Sequence, residues 1–139
     1  MYKQVMIARK DLNMSHGKLS AQVSHGSEAF LNWFIINNVD SNGHVDGYID
    51  KDVLHNWIEG EFTKCVLQAK NKNQLLKAKK MAEEMGMKEG EDFWLIYDNC
   101  HTELKPEENG RTLTVIGFKP MKSEIIDKIG RKYHLYVDA

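Results

Sequence analysis

The stretch Lys3–Gly26, KQVMIARKDLNMSHGKLSAQVSHG, changes its hydrophobic pattern partway along. Its first part holds the continuous apolar run Val5-Met6-Ile7-Ala8, the pattern of a buried strand. Asp11, Asn13 and Ser15 follow, short polar side chains of the kind that cap helix N-termini. From His16 to about Asn37 a long helix is predicted. Leu19, Val23, Gly26, Phe30 and Phe34 recur at near-helical spacing and mark its buried stripe.

The same alternation continues outward. Asn37-Asn38 and Asp40–Gly43 break the helix. Ile49–Glu59 reads as a second, shorter helix with Asp50 as its cap and Val53, Leu54, Trp57 and Ile58 inward. Thr63–Ala69 reads as a strand. Asn73–Met85 reads as a third helix, with Leu75, Ala78, Ala82 and Met85 inward and Gly86 as its stop. Phe93–Tyr97 is apolar enough for a strand covered on both faces. Thr112–Phe118 is a further strand, Ser123–Ile129 a last helix stopped by Gly130, and Tyr133–Val137 a short edge strand. The polar stretch Glu103–Arg111 reads as a surface loop. Strands alternating with helices predict an α/β sandwich with a mostly parallel or mixed sheet. At 139 residues, one domain spanning 1–139 is expected.

Composition narrows the function classes. Apolar residues make up 42% and charged residues 28%, as in an ordinary globular protein. No stretch approaches a membrane span, and the start lacks signal-peptide architecture, so a cytoplasmic, membrane-free protein is expected. Two cysteines, Cys65 and Cys100, read as free thiols. A net charge of −1 does not announce a nucleic-acid binder. The distribution says more: Lys64–Ala82 holds six lysines and no acid, which fits either a basic face for a phosphate backbone or a solvated helix face.

Three motif readings fail on spacing. Gly17-Lys18 lacks the upstream glycine and the following hydroxyl of a phosphate-binding loop, since Leu12 and Leu19 stand there. Asp40–Lys51 lacks the glycine and glutamate of a calcium loop, with Val45 and Lys51 in their places. The histidines and cysteines show no zinc spacing, so no metal or other cofactor is expected.

Two segments could carry chemistry. At about 100° per residue, Lys18, Gln22 and His25 fall within roughly 60° on one helix face. Lys18 also lies in the first turn, where free N–H groups and the dipole favour an anion. Such a face could bind phosphate or ribose, polarise a carbonyl, or simply meet solvent. The second segment is Asp98-Asn99-Cys100-His101-Thr102, directly after an apolar strand. Ligands of open α/β sheets bind beyond the carboxyl ends of strands. If the first and third strands are parallel, both segments meet at one sheet edge. Asp98 could then orient or deprotonate water, while Lys18 or nearby backbone N–H groups serve the oxyanion of an ester hydrolysis. No nucleophile elbow is present.

These segments resemble the type 2 peptidyl-tRNA hydrolases. That family opens on a strand followed by Arg-x-Asp-Leu-x-Met and Gly-Lys-x-Ala-Ala-Gln-x-x-His-Ala. Here the sequence runs Arg9-Lys10-Asp11-Leu12-Asn13-Met14, then Gly17-Lys18-Leu19-Ser20-Ala21-Gln22-Val23-Ser24-His25-Gly26. The family's Asp-Ala-Gly-x-Thr stands as Asp98-Asn99-Cys100-His101-Thr102, with Pro106 beyond. Its Gly-x-x-Pro stands as Gly117-Phe118-Lys119-Pro120. Asp127-Lys128 and His134-Leu135 match its closing pattern with altered spacing. Asn99-Cys100 replaces a small Ala-Gly pair, His101 stands where arginine is common, and residues 37–47 look inserted.

The resemblance implies a three-layer α/β/α sandwich around a mixed, roughly four-stranded sheet, and a homodimer. It implies hydrolysis of the ester between a peptide and tRNA by water attack. Lys18, His25, Asp98 and Thr102 would be the catalytic positions. Gly17, Gln22 and His101 would bind the peptidyl-tRNA. The alternative is a non-catalytic module on the same fold that binds tRNA or protein.

Overall fold

A computed structural model describes residues 1–138. The first strand, β1 (Tyr2–Arg9), is buried on both faces from Gln4 onward. Val5 and Ile7 pack to one side of the sheet and Met6 and Ala8 to the other, as the period of two requires. The long helix α1 (His16–Asn38) follows, with Ser15 as its N-cap. Next come α2 (Lys51–Val53), capped by Asp50 and continuing into a π turn at Leu54–Ile58, β2 (Lys64–Ala69) and α3 (Lys72–Glu84). The chain then forms β3 (Phe93–Asp98), β4 (Thr112–Phe118), β5 (Met121–Lys122), α4 (Ser123–Gly130) and β6 (His134–Leu135).

The sheet runs β3-β4-β1-β2-β6, with β5 pairing β1. Among the strand pairs of the described residues, only β1 and β2 pair in parallel, and the others are antiparallel. Because β4 opposes both β1 and β3, those two strands point the same way. The mixed α/β sandwich therefore holds, but the strand count needs correction: six strands rather than about four. The two beyond four are β5 and β6, two residues each, formed where the chain enters and leaves α4. β6 falls inside the short edge strand expected at Tyr133–Val137, whereas β5 is too short to carry a period that a sequence pattern can show.

Helices cover both faces. Leu75, Ala78 and Ala82 of α3, with Ile126 and Ile129 of α4, close the larger core with Val5, Ile7, Phe93, Ile116 and Phe118. On the other face, α1 lays Leu19 and Val23 on Met6, Ala8 and Val115, and Phe30 packs with Val53 and Trp57. The π turn hands Trp57 inward, where its indole N–H donates to the Thr63 carbonyl at 2.8 Å. Met85, expected inward, caps α3 instead and is exposed.

The helix α1 approaches β4 at Gly26 and Gly117. A Cβ on Gly117 would lie 2.3 Å from the Gly26 carbonyl oxygen, so the two backbones are in contact there. Farther along, β4 holds one extra residue: Ile96 pairs with Val115 but Tyr97 pairs with Leu113. The bulge switches the face of β4, so Leu113 joins the α3–α4 core while Thr114 turns to α1.

Candidate active site

Three segments meet beyond the carboxyl ends of β1 and β3. The first turn of α1 brings Lys18, the end of β3 brings Asp98, and the following loop brings Thr102. The Lys18 ammonium lies 2.6 Å from Asp98 Oδ1 and 3.4 Å from Thr102 Oγ1. Its side chain is 15% exposed and that of Asp98 9%. The pair is mostly withdrawn from water yet open on one side.

The turn after Asp98 fixes the carboxylate. The Cys100 N–H donates to Asp98 Oδ2 at 3.1 Å, an aspartate bonding the backbone two residues on. Cys100 has φ +63°, the left-handed region that glycine enters freely and other residues enter at about 1–2 kcal/mol. This is the position where the family carries glycine. Cys100 keeps the glycine-type turn, and its thiol lies 3.4 Å from the Asp98 carbonyl and 3.5 Å from Thr112 Oγ1.

The loop 99–111 is pinned by two carboxylates that the sequence reading left on the surface. Glu103 accepts from the Ser15 N–H at 2.9 Å and from the Ser15 hydroxyl at 2.7 Å. Those bonds, backbone first, hold its carboxyl below the usual range. Ser15 Oγ in turn accepts from the Lys18 N–H at 3.2 Å, so the loop, the cap and the lysine are linked. Glu107 takes two bonds from Arg9, at 2.6 and 2.9 Å. Arg9 is 3% exposed, also meets Asp11, and donates to the Leu113 carbonyl at 3.0 Å. Burial opposes its charge, but its carboxylate partners outweigh this and hold its pKa above the ordinary value. A buried arginine at a strand end requires such partners. Arg9 was the signal that could have pointed to Glu107.

The other expected positions scatter. Gln22 is 3% exposed and its Oε1 accepts from the Thr114 hydroxyl at 2.6 Å, which ties α1 to the β4 bulge. It is closed off from solvent rather than presented on an open face. His25 is exposed and faces a groove beside β3. Gly17 is exposed in the first turn, with nothing within 4 Å of where a Cβ would stand. His101 is exposed in the loop next to Thr102. Thr102 reaches Lys18, so any influence on Asp98 passes through the lysine. Among the described residues, no group of three or more His, Cys, Asp or Glu is placed to hold a metal ion. Among the described residues, no helix is long and apolar enough to cross a membrane.

This arrangement suits ester chemistry. The ammonium has three donors: one spans to Asp98, a second reaches toward Thr102, and a third remains for a carbonyl or phosphate oxygen. Each Asp98 oxygen has one recorded partner and a lone pair left for water.

Comparison with known proteins agrees with this geometry. The family model described as peptidyl-tRNA hydrolase PTH2 matches residues 2–136. A protein named peptidyl-tRNA hydrolase from Methanopyrus kandleri is 35% identical over 130 residues, 93% of either chain. One of the same name from Thermoplasma acidophilum is 30% identical over 133 residues, 96% of this chain and 97% of its own. Another from Saccharolobus islandicus is 30% identical over 129 residues, 93% of this chain and 94% of its own. With a match across nearly its whole length and the ion pair formed by two of the family's motifs, this chain belongs to the peptidyl-tRNA hydrolase PTH2 family.

Proposed function

We propose that this chain is a peptidyl-tRNA hydrolase, cleaving the ester between a peptide and the terminal ribose of tRNA. The observation that carries the reading is the Lys18–Asp98 pair at 2.6 Å, shared between the α1 first turn and the β3 end. Asp98 holds the attacking water by accepting one of its hydrogens. Lys18 donates to the ester carbonyl oxygen and opposes the charge that gathers there as water adds. The carbon–oxygen bond to ribose then breaks. One of the water's two protons ends on the ribose oxygen, the other passes to solvent, and the peptide leaves as a carboxylate. Thr102 steadies Lys18. Gly17, Gln22, His25 and His101 complete the proposed set: His25 as the remaining catalytic candidate on the α1 face, Gln22 by holding α1 against β4, and Gly17 and His101 as exposed groups that contact substrate. The same reading carries a homodimer and a cytoplasmic location.

The test is incubation with labelled peptidyl-tRNA, with release of free tRNA as the readout. Cleavage by the wild type and its loss in Asp98→Ala supports the reading. Salt-dependent tRNA binding with no cleavage would replace it with the binding-module alternative. A single 16.1 kDa species in sedimentation would remove the homodimer.

A further inference from the structure

The strand β3 is the end of the sheet: β4 pairs one side, and no strand among the described residues pairs the other. Its backbone orientation follows from its contacts. The Asp92 carbonyl accepts from Lys119 N–H on the β4 side, while the Phe93 carbonyl accepts from Gly90 N–H on the outer side. The Ile96 carbonyl oxygen lies 3.2 Å from Thr114 Oγ1, again on the β4 side. Alternation between these points leaves the N–H and C=O of Leu95 facing outward.

A groove of about 580 Å³ runs along this edge, between β3 and the middle of α1. His25, Asn32 and Trp33 line it from α1, and Trp94 to Tyr97 from β3. Leu95 lines the groove although its side chain packs in the core on the opposite face of the sheet. What Leu95 presents to the groove is therefore its main chain. The groove reaches Asn99, the residue after Asp98, while Lys18 and Asp98 themselves lie outside its lining.

We infer that this groove seats the peptide half of the substrate as an added strand on β3, an inference that rests on the hydrolase reading. The peptide's last carbonyl must lie at Lys18 and Asp98, beyond the carboxyl end of β3. The peptide therefore runs parallel to β3, its C-terminus toward the ion pair. Trp94 to Tyr97 spans roughly 10 Å at 3.3 Å per residue, room for three to four substrate residues. Main-chain pairing recognises a peptide whatever its side chains, which matches a substrate whose peptide sequence varies. A nucleic-acid strand fits less well. Arg111 is the only lysine or arginine lining the groove, and its guanidinium already lies 4.4 Å from the centre of the Tyr97 ring.

The test compares wild-type kcat/KM on N-acetylaminoacyl-tRNA and on tetrapeptidyl-tRNA, then on tetrapeptidyl-tRNAs N-methylated at one residue at a time. The longer substrate is expected to be better by roughly ten- to thirtyfold, the yield of about two backbone bonds. Methylation at alternate residues should cost roughly five- to tenfold, while the intervening positions stay within about twofold. Trp33→Ala should pull the long-to-short ratio toward one. Equal rates on the two lengths, methylation losses without alternation, or an unchanged ratio in Trp33→Ala each overturn the groove as the peptide's seat. So does a dimer that buries the β3 edge. No cleavage of either substrate sinks the hydrolase reading and this inference with it, whereas cleavage without length dependence sinks this inference alone.

Discussion

Replacing Lys18 by Met keeps an unbranched side chain, one atom shorter, and removes its charge. The carboxylate of Asp98, with its side chain 9% exposed, would lose the ammonium at 2.6 Å and keep only the Cys100 N–H at 3.1 Å. Stranding one half of a fully buried pair costs about 3–5 kcal/mol. Both groups here retain some water, so about 2 kcal/mol is expected for Lys18→Met. Asp98→Asn should cost less, about 1 kcal/mol or under, because Lys18 can swing its ammonium to solvent and an amide oxygen can still accept from Cys100. The double variant should melt above Lys18→Met, since no carboxylate is left stranded. At about 4 °C per kcal/mol for a chain of this size, Lys18→Met should lower Tm by roughly 8 °C and the double variant by roughly half that. Activity should follow a different pattern. Each single variant should lose about 10²–10⁴-fold in kcat, which is about 3–5 kcal/mol of barrier. The double variant should be no worse than the weaker single, because the two groups act on one substrate atom set as a unit. Circular-dichroism melts and single-turnover cleavage of peptidyl-tRNA measure both cycles. Melting of Lys18→Met at the wild-type temperature, or activity losses that multiply in the double variant, would refute the coupled pair.

Other perturbations probe what surrounds the pair. Gly117→Ala would place a Cβ 2.3 Å from the Gly26 carbonyl oxygen and push α1 off the sheet, so a loss of about 3 kcal/mol or more is expected in urea titrations. Cys100→Gly accepts the φ of +63° without strain and should stay within about 1 kcal/mol of wild type, whereas Cys100→Val should lose about 2 kcal/mol and much of its turnover. Glu107 is held below its ordinary pKa of 4.5 chiefly by its hydrogen bonds from Arg9. Its folded pKa lies under its unfolded one, so its stabilisation is present above pH 4.5 and fades as pH falls through the lower, folded value. Glu107→Gln should therefore flatten the acid-side fall in stability, and an unchanged slope below pH 4.5 would count against this bond.

The sequence alone determined the elements that are long and strongly patterned. The buried first strand, the helix from His16, the helix near Asn73 and the two later apolar strands follow from local period, because each buries a face through its own repeating side chains. It also brought Lys18 and Asp98 forward as candidates, since each follows a strand and matches a family motif. Tertiary structure alone decided how they meet. The parallel direction of β1 and β3 depends on β4 lying between them, a pairing over long separation that no local pattern encodes. The inward turn of Gln22 depends on a one-residue bulge that rotates Thr114 toward α1. Glu103 and Glu107 read as surface charge because exposure follows from composition, whereas their capture by Ser15 and Arg9 follows from where the loop folds back. The open edge of β3 is likewise a fact of strand order, because a strand's own residues do not say which neighbour it lacks.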